Sequence, residues 1–264
     1  MSNLSGHPII DKTAIVDSSA RLGPGVKIGP YSIIEENVEI GAGTIIGSHV
    51  HLVGWTVIGK NNRIMNHASI GQAPQYLNFK KDKTYVIIGN NNTIGEFVTI
   101  HRGTVDGLGE TRIGHNNTIT AHCHVAHDCS LGNNIEMGSS TNLAGHVIVE
   151  NDVVMAELVG VHQFVSIGRL AMVESQSKVT KDVPPFIAVN GHPAQVEGLN
   201  YKGLKRSDLP ADVIEEISKG FDILYNANMN VSDAITYMDQ ELLASKEIED
   251  FIRFIKKSIR GICR

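Results

Sequence analysis

Residues 113–149 read IGHNNTITAHCHVAHDCSLGNNIEMGSSTNLAGHVIV. An aliphatic residue opens every sixth position of this stretch: Ile113, Ile119, Val125, Leu131, Met137, Leu143 and Val149. The same frame continues without a slip through Met155, Val161, Ile167 and Val173 to Val179. Toward the N-terminus it runs from Ile10 by sixes to Ile70 and resumes at Ile88, Ile94 and Ile100, so that 26 frames open on Ile, Val, Leu or Met. Many are followed at once by Gly, as at Ile28-Gly29, Ile40-Gly41, Ile58-Gly59 and Ile113-Gly114. Neither an amphipathic helix nor an alternating strand repeats every six residues, so the period predicts a hexapeptide solenoid.

Four residues after the aliphatic one stands a small or β-branched residue, as at Ala14, Val26, Ser32, Val38, Thr44 and Val50. A short strand sends alternate side chains to opposite faces, and Gly, Asn and Asp between strands supply the positive φ of a corner. Three strand-and-corner units close one triangular coil, and the aliphatics of successive coils stack inside a thin prism. The expected fold is therefore an all-β parallel solenoid over residues 1–190, with two interruptions. Residues 71–87, GQAPQYLNFKKDKTYVI, keep the phase and read as a loop thrown out of one coil; 106–112, DGLGETR, shift it and read as a shorter loop. Long loops on a compact repeat scaffold are often functional.

The repeat ends at Pro184-Pro185, and residues 191–264 are expected to form a small helical domain. Asp208-Leu209-Pro210 reads as a helix start, followed by Val213, Ile217, Phe221 and Leu224 at helical spacing. Ser232 is the expected cap of a second helix carrying Ile235, Met238 and Leu242, and a third carries Ile248, Phe251, Ile252, Ile255 and Ile259.

A chain of 264 residues holds such a solenoid without covalent staples. The net charge of −5 gives no case for a nucleic-acid binder. Three cysteines make no disulfide framework and there is no long apolar run, so a cytoplasmic protein is expected, with no transmembrane segment.

Twelve histidines are many for this length. His122, His124 and His127 crowd the segment TAHCHVAHDC, with His101, His146 and His162 in neighbouring frames. His127 next to Asp128 is a plausible base beside an orienting carboxylate. The rival reading is zinc, because His122 and His127 stand five residues apart, as in some hexapeptide hydratases. A catalytic zinc needs three converging ligands. The place for the third, near Val86, holds no histidine.

The motifs ASIG (68–71), TIHRGT (99–104), HVAHDC (124–129), LAGHV (143–147), VHQF (161–164), DVPP (182–185) and GLKR (203–206) follow in order along nearly the whole chain. In these the sequence resembles the bacterial UDP-N-acetylglucosamine O-acyltransferases. The resemblance implies a left-handed parallel β-helix, a homotrimer with clefts between subunits, and no metal or cofactor. It implies transfer of a 3-hydroxyacyl group from acyl carrier protein to the 3-hydroxyl of UDP-N-acetylglucosamine, the first step of lipid A synthesis. His127 matches the general base, Asp128 its partner and Gly145 the oxyanion donor. His101, His124, His146, His162 and Gln163 match residues lining the site, and Asn200 and Arg206 match residues that hold the nucleotide.

The chain departs from the family pattern in several places. Gln75-Tyr76-Leu77-Asn78 stands where Gln-Asp-Leu-Lys is usual, which makes Gln75, Tyr76 and Asn78 the substrate-facing residues of the first loop and puts the acceptor in question. Glu174 and Ser175 replace a Gly-Gly pair that leaves room for the acyl end, so they are expected to act as an acyl-chain ruler. Lys202 and Ser207 replace a Glu and an Arg about the nucleotide segment. The alternatives are an N-acyltransferase of the same fold acting on an amino-sugar nucleotide, the zinc hydratase, and a non-catalytic scaffold.

Overall fold

The computed structural model describes residues 6–75, 79–80, 82–242 and 245–264. Short parallel strands wind into a left-handed β-helix whose three faces are sheets of eleven, nine and eight strands. The chain visits the first, second and third sheet in turn, beginning with Ile9–Ile10, Ile15–Val16 and Arg21–Leu22. A plain coil takes eighteen residues, since Ile10 pairs with Ile28 and Ile28 with Ile46.

The sixfold aliphatics stack as expected. In the first sheet Ile28, Ile46, Ile64, Ile94, Ile119, Met137 and Met155 lie one above another. None of them is more than 3 % exposed. The interior also carries one polar file. Asn92 donates from Nδ2 to Asn62 Oδ1 at 3.0 Å and accepts from the Asn117 backbone N–H at 2.9 Å. Each buried amide thus satisfies backbone groups of the coils beside it.

Gly25 (φ 69°) and Gly43 (φ 71°) take the positive φ of a corner as expected, but the glycines that directly follow the aliphatics serve a different purpose. In most coils the residue in left-handed conformation is the third after the aliphatic, with φ of 58° at Tyr31, 60° at Asn37, 62° at His67 and 60° at Asp128. The glycine directly after the aliphatic is needed for close approach between coils. A Cβ at Gly29 would stand 2.6 Å from the Gly47 carbonyl oxygen, and one at Gly41 2.5 Å from the Gly59 carbonyl carbon.

The first loop is narrower than expected and the second lies nearer the N-terminus, because strands on their flanks join the ladders. Strands Ser69–Gln72 and Tyr85–Ile88 claim most of the first loop's ends, leaving an excursion of residues 73–84. Strands Thr99–His101 and Glu110–Ile113 leave 102–109 as the second.

Beyond the prolines the first sheet gains an unexpected antiparallel hairpin, Ile187–Gly191 with Ala194–Leu199. Helical structure therefore begins only at α1, Tyr201–Arg206, and not at residue 191. Helices α2 (Ala211–Tyr225), α3 (Val231–Glu241) and α4 (Lys246–Lys257) follow. The cap of α3 is Asn230, whose side chain accepts from the Asp233 N–H, and not Ser232. Ile259 lies past α4 and is 98 % exposed. The chain end returns to the last coil: Cys263 N–H donates to the Asp182 carbonyl at 2.8 Å, and Ser258 Oγ to the Asp182 carboxylate at 2.6 Å. Among the described residues no helix is long and apolar enough to cross a membrane.

Candidate active site

The corner between the second and third sheets holds His127 and Asp128, just past the strand His124–Val125. Asp128 is fully buried and takes the left-handed corner conformation. Its carboxylate accepts from the Thr104 N–H at 3.0 Å, from Thr104 Oγ1 at 2.7 Å and from the Leu108 N–H at 2.8 Å, all donors of the second loop. It also lies 2.8 Å from His127 Nδ1. Burial works to raise this carboxyl, but the hydrogen bonds from Thr104, His127 and Leu108 outweigh it and hold it below the ordinary value. The ionised carboxylate only accepts, so Nδ1 of His127 carries the proton.

That bond turns the other edge of the imidazole toward Gly145. A Cβ there would lie 2.6 Å from His127 Cε1 and 2.8 Å from Nε2, so only glycine admits the ring. Both residues line a cleft of about 720 Å³ on the second face. Its floor is a file of paired residues from successive coils, His124, Asn142, Gly160 and Lys178. Gln75, His162 and Gln163 also border it.

Burial works against the charged form of three neighbouring histidines. Burial, helped by His101 and His127, pulls the His124 imidazole down to about 4, and its Nδ1 lies 2.7 Å from Thr99 Oγ1. Burial also lowers His101, which meets His124 edge to face at 5.1 Å, and lowers His146, whose Nε2 is 3.7 Å from the Asp128 carboxylate. Three imidazoles that burial lowers thus surround one carboxylate.

Other expected residues fall elsewhere. Glu174 and Ser175 are not among the residues lining the cleft. Their corner precedes the strand Lys178–Val179, and the Glu174 N–H is bound to Val189 of the hairpin. The cleft is lined instead by Gln176, Ser177 and Lys178, with His192. Asn200 is 6 % exposed and committed to capping α1: Oδ1 accepts from Gly203 N–H at 2.9 Å and Nδ2 donates to the Leu170 carbonyl at 2.8 Å. Arg206, at the end of α1, borders a separate cleft of about 650 Å³ on the first face, with Glu136, Arg169 and Lys202. Tyr76 and Asn78 lie outside the described residues.

The proposed zinc pair does not converge, since His122 stacks on Phe97 at a different edge of the prism. His127, Asp128 and His146 do place potential ligand atoms within 4.8 Å of one another. The Asp128 oxygens, however, are taken up by Thr104, Leu108 and His127, an arrangement that fixes the orientation of the His127 ring. Thr104 and the second loop were not anticipated as part of the site. Thr104 does fall inside the TIHRGT segment, so a signal was present.

Hexapeptide coils with a carboxylate-held histidine facing a glycine backbone define a hexapeptide-repeat acyltransferase. Residues 19–54 match the model of bacterial transferase hexapeptides (six repeats), and 182–263 that of Udp N-acetylglucosamine O-acyltransferase, domain 2. The acyl-[acyl-carrier-protein]--UDP-N-acetylglucosamine O-acyltransferase of Halorhodospira halophila is 42% identical over 255 residues, covering 97% of this chain and 99% of the relative. The Bacteroides fragilis UDP-N-acetylglucosamine acyltransferase structure matches with a TM-score of 0.94 at 38% identity, covering 97% of this chain and all of the other. That of the Francisella novicida enzyme gives 0.93 at 38% identity, over 97% and 94%. The chain belongs to the UDP-N-acetylglucosamine O-acyltransferase family.

Proposed function

We infer that this enzyme transfers a (R)-3-hydroxyacyl group from acyl carrier protein to the 3-hydroxyl of UDP-N-acetylglucosamine, opening lipid A synthesis. The observation carrying this reading is the buried Asp128–His127 pair turned onto Gly145 inside the cleft. His127 removes the hydroxyl proton at Nε2 as the oxygen attacks the thioester carbonyl. The Gly145 N–H receives the developing oxyanion. The new C–O ester bond forms, the C–S bond breaks, and the imidazolium returns its proton to the leaving thiolate. Asp128 stabilises the imidazolium through Nδ1.

The assembly is a homotrimer with shared clefts. His127 works from the second face of one copy and Arg206 from the first face of the next, which suits an Arg fork to the nucleotide phosphates. Within one chain these two residues border separate clefts, which supports a site built from two copies. Three free, buried cysteines fit a reducing, cytoplasmic setting.

The test is an assay of the purified protein with UDP-N-acetylglucosamine and a series of 3-hydroxyacyl carrier proteins. His127→Ala is expected to lower kcat about 10²–10⁴-fold while leaving the fold intact. A variant retaining more than roughly a tenth of the activity overturns the assignment of the base.

A further inference from the structure

The file of residues that floors the cleft continues past it toward the N-terminus. His124 pairs with Thr99, Thr99 with Ser69 and Ser69 with His51. All four side chains are polar and half-buried. Past His51 the same file turns apolar and exposed, at Ile33 and then Ile15. In the other direction from His127 the cleft is lined by Leu143, Leu158 and Val161. The base therefore stands between an apolar groove and a polar track three coil spacings long, roughly 14 Å at about 4.8 Å for each coil.

A guanidinium stands at the far end of this track. Arg102 leaves the corner after the strand Thr99–His101 and reaches back two coils, so that its Nη1 occupies the place where a Cβ at Gly54 would stand. It lies 5.8 Å over the ring of Trp55, the chain's only tryptophan, and 5.2 Å over that of Phe79. Lys83 Nζ approaches the same indole, 5.4 Å from its centroid. The Arg102 Nε is buried without a hydrogen-bond partner. Among the described residues neither cation forms an ion pair. Glu35 favours the charged form of Arg102, but that carboxylate is held by His51 Nε2 at 2.7 Å. Burying a cation costs free energy unless an anion or hydrogen bonds offset it, and two cations on one indole also repel each other. Rings against its faces leave the guanidinium its edge for donation, the geometry that takes a phosphate in two parallel hydrogen bonds.

Acyl carrier protein presents its acyl group on 4′-phosphopantetheine, a chain of two amides that ends in a phosphodiester. From sulfur to phosphorus the extended arm spans roughly 16 Å, about the length of five residues, which matches the track to within one coil spacing. With the thioester carbon between His127 and Gly145, an acyl chain in the apolar groove sends the arm along the polar file. We propose that Arg102, stacked on Trp55 and Phe79 and assisted by Lys83, anchors the phosphodiester of the carrier's arm. The proposal rests on the acyl-transfer reading above and assigns each direction from the base to one part of the donor.

The test compares three donors with the same acyl group: acyl carrier protein, acyl-4′-phosphopantetheine and acyl-pantetheine, which lacks the phosphate. Wild type is expected to show a KM for the phosphopantetheine donor about ten- to a hundredfold below that for the pantetheine donor, the scale of a charge-assisted hydrogen bond. Arg102→Gln is expected to raise the KM of both phosphorylated donors by that factor, while the values for acyl-pantetheine and UDP-N-acetylglucosamine stay where they were. Arg102→Lys, which keeps the charge and loses the fork, is expected to fall between. Lys83→Gln, at an exposed position, is expected to weaken the phosphorylated donors alone by about two- to fivefold. An Arg102→Gln enzyme that keeps the wild-type preference for phosphate overturns the anchor. So does one whose KM rises for UDP-N-acetylglucosamine instead, which gives the guanidinium to the nucleotide diphosphate. Should Arg102→Gln not fold by circular dichroism, an unchanged preference in both Arg102→Lys and Lys83→Gln overturns it equally. Failure of wild type to transfer from any donor overturns the acyl-transfer reading. Calorimetry with free 4′-phosphopantetheine and pantetheine then still reads the anchor. Binding that depends on the phosphate in wild type and not in Arg102→Gln supports it, and equal binding of the two compounds by wild type overturns it.

Discussion

Asp128 joins two demands in one residue: its backbone makes a corner and its carboxylate holds the His127 imidazole. The burial that serves this site has a measurable cost at His124, whose imidazole falls from 6.5 to about 4. Between those values the unfolded chain binds a proton that the folded chain refuses, so stability must fall as pH drops through that window. The melting temperature is expected to decline from about pH 6.5 toward about pH 4, and His124→Asn to flatten part of that decline. Asp128, held low, surrenders its own contribution only in still stronger acid. A variant with the same slope as wild type would show that His124 is not one of the groups responsible. At this scale the sequence was informative about His127 and Asp128, which are adjacent, but not about Thr104. Its hydroxyl reaches Asp128 across 24 positions, a separation that no local pattern encodes.

Among the elements, we propose that the strand Lys178–Val179 sets how far an acyl chain can run. Coils stack at about 4.8 Å, and the floor rises from Asn142 through Gly160 to Lys178. A Cβ at Gly160 would meet nothing within 4 Å, so the groove has room there, and Lys178, Gln176 and His192 line it further along. Each methylene denied burial forfeits roughly 0.8 kcal/mol, about fourfold in binding. Lys178→Gly is expected to shift the donor optimum toward longer 3-hydroxyacyl chains in competition assays, while Ser175→Gly leaves it in place. The opposite result would return the ruler to the preceding corner. The period of six made every coil strand legible, because each inward aliphatic repeats in one frame. The corner chemistry was hidden: Tyr31, Phe97 and Leu158 look like ordinary apolar residues until φ is known. The hairpin was hidden too, because Pro184-Pro185 breaks the hexapeptide frame without ending the first sheet.

For the whole molecule, register is the controlling quantity. The first excursion lengthens its coil to thirty residues, Ile64 to Ile94, and the second to twenty-five, Ile94 to Ile119, yet the strands above and below remain paired. The fold therefore admits length in whole turns. Excision of residues 20–37, one plain coil, joins Ser19 to Val38 in the same phase. It is expected to leave a folded protein one turn shorter, with transfer activity within about tenfold of the parent, since each repeat leans only on its neighbours. Removing nine residues from the same place would rotate everything downstream by half a turn and is expected to prevent folding, as judged by circular dichroism. A chain built on this eighteen-residue register is in effect a screw thread. Evolution can lengthen or shorten the shaft by full pitches without recutting the end that grips the substrate, so the size of the protein and the chemistry of its cleft are free to change independently.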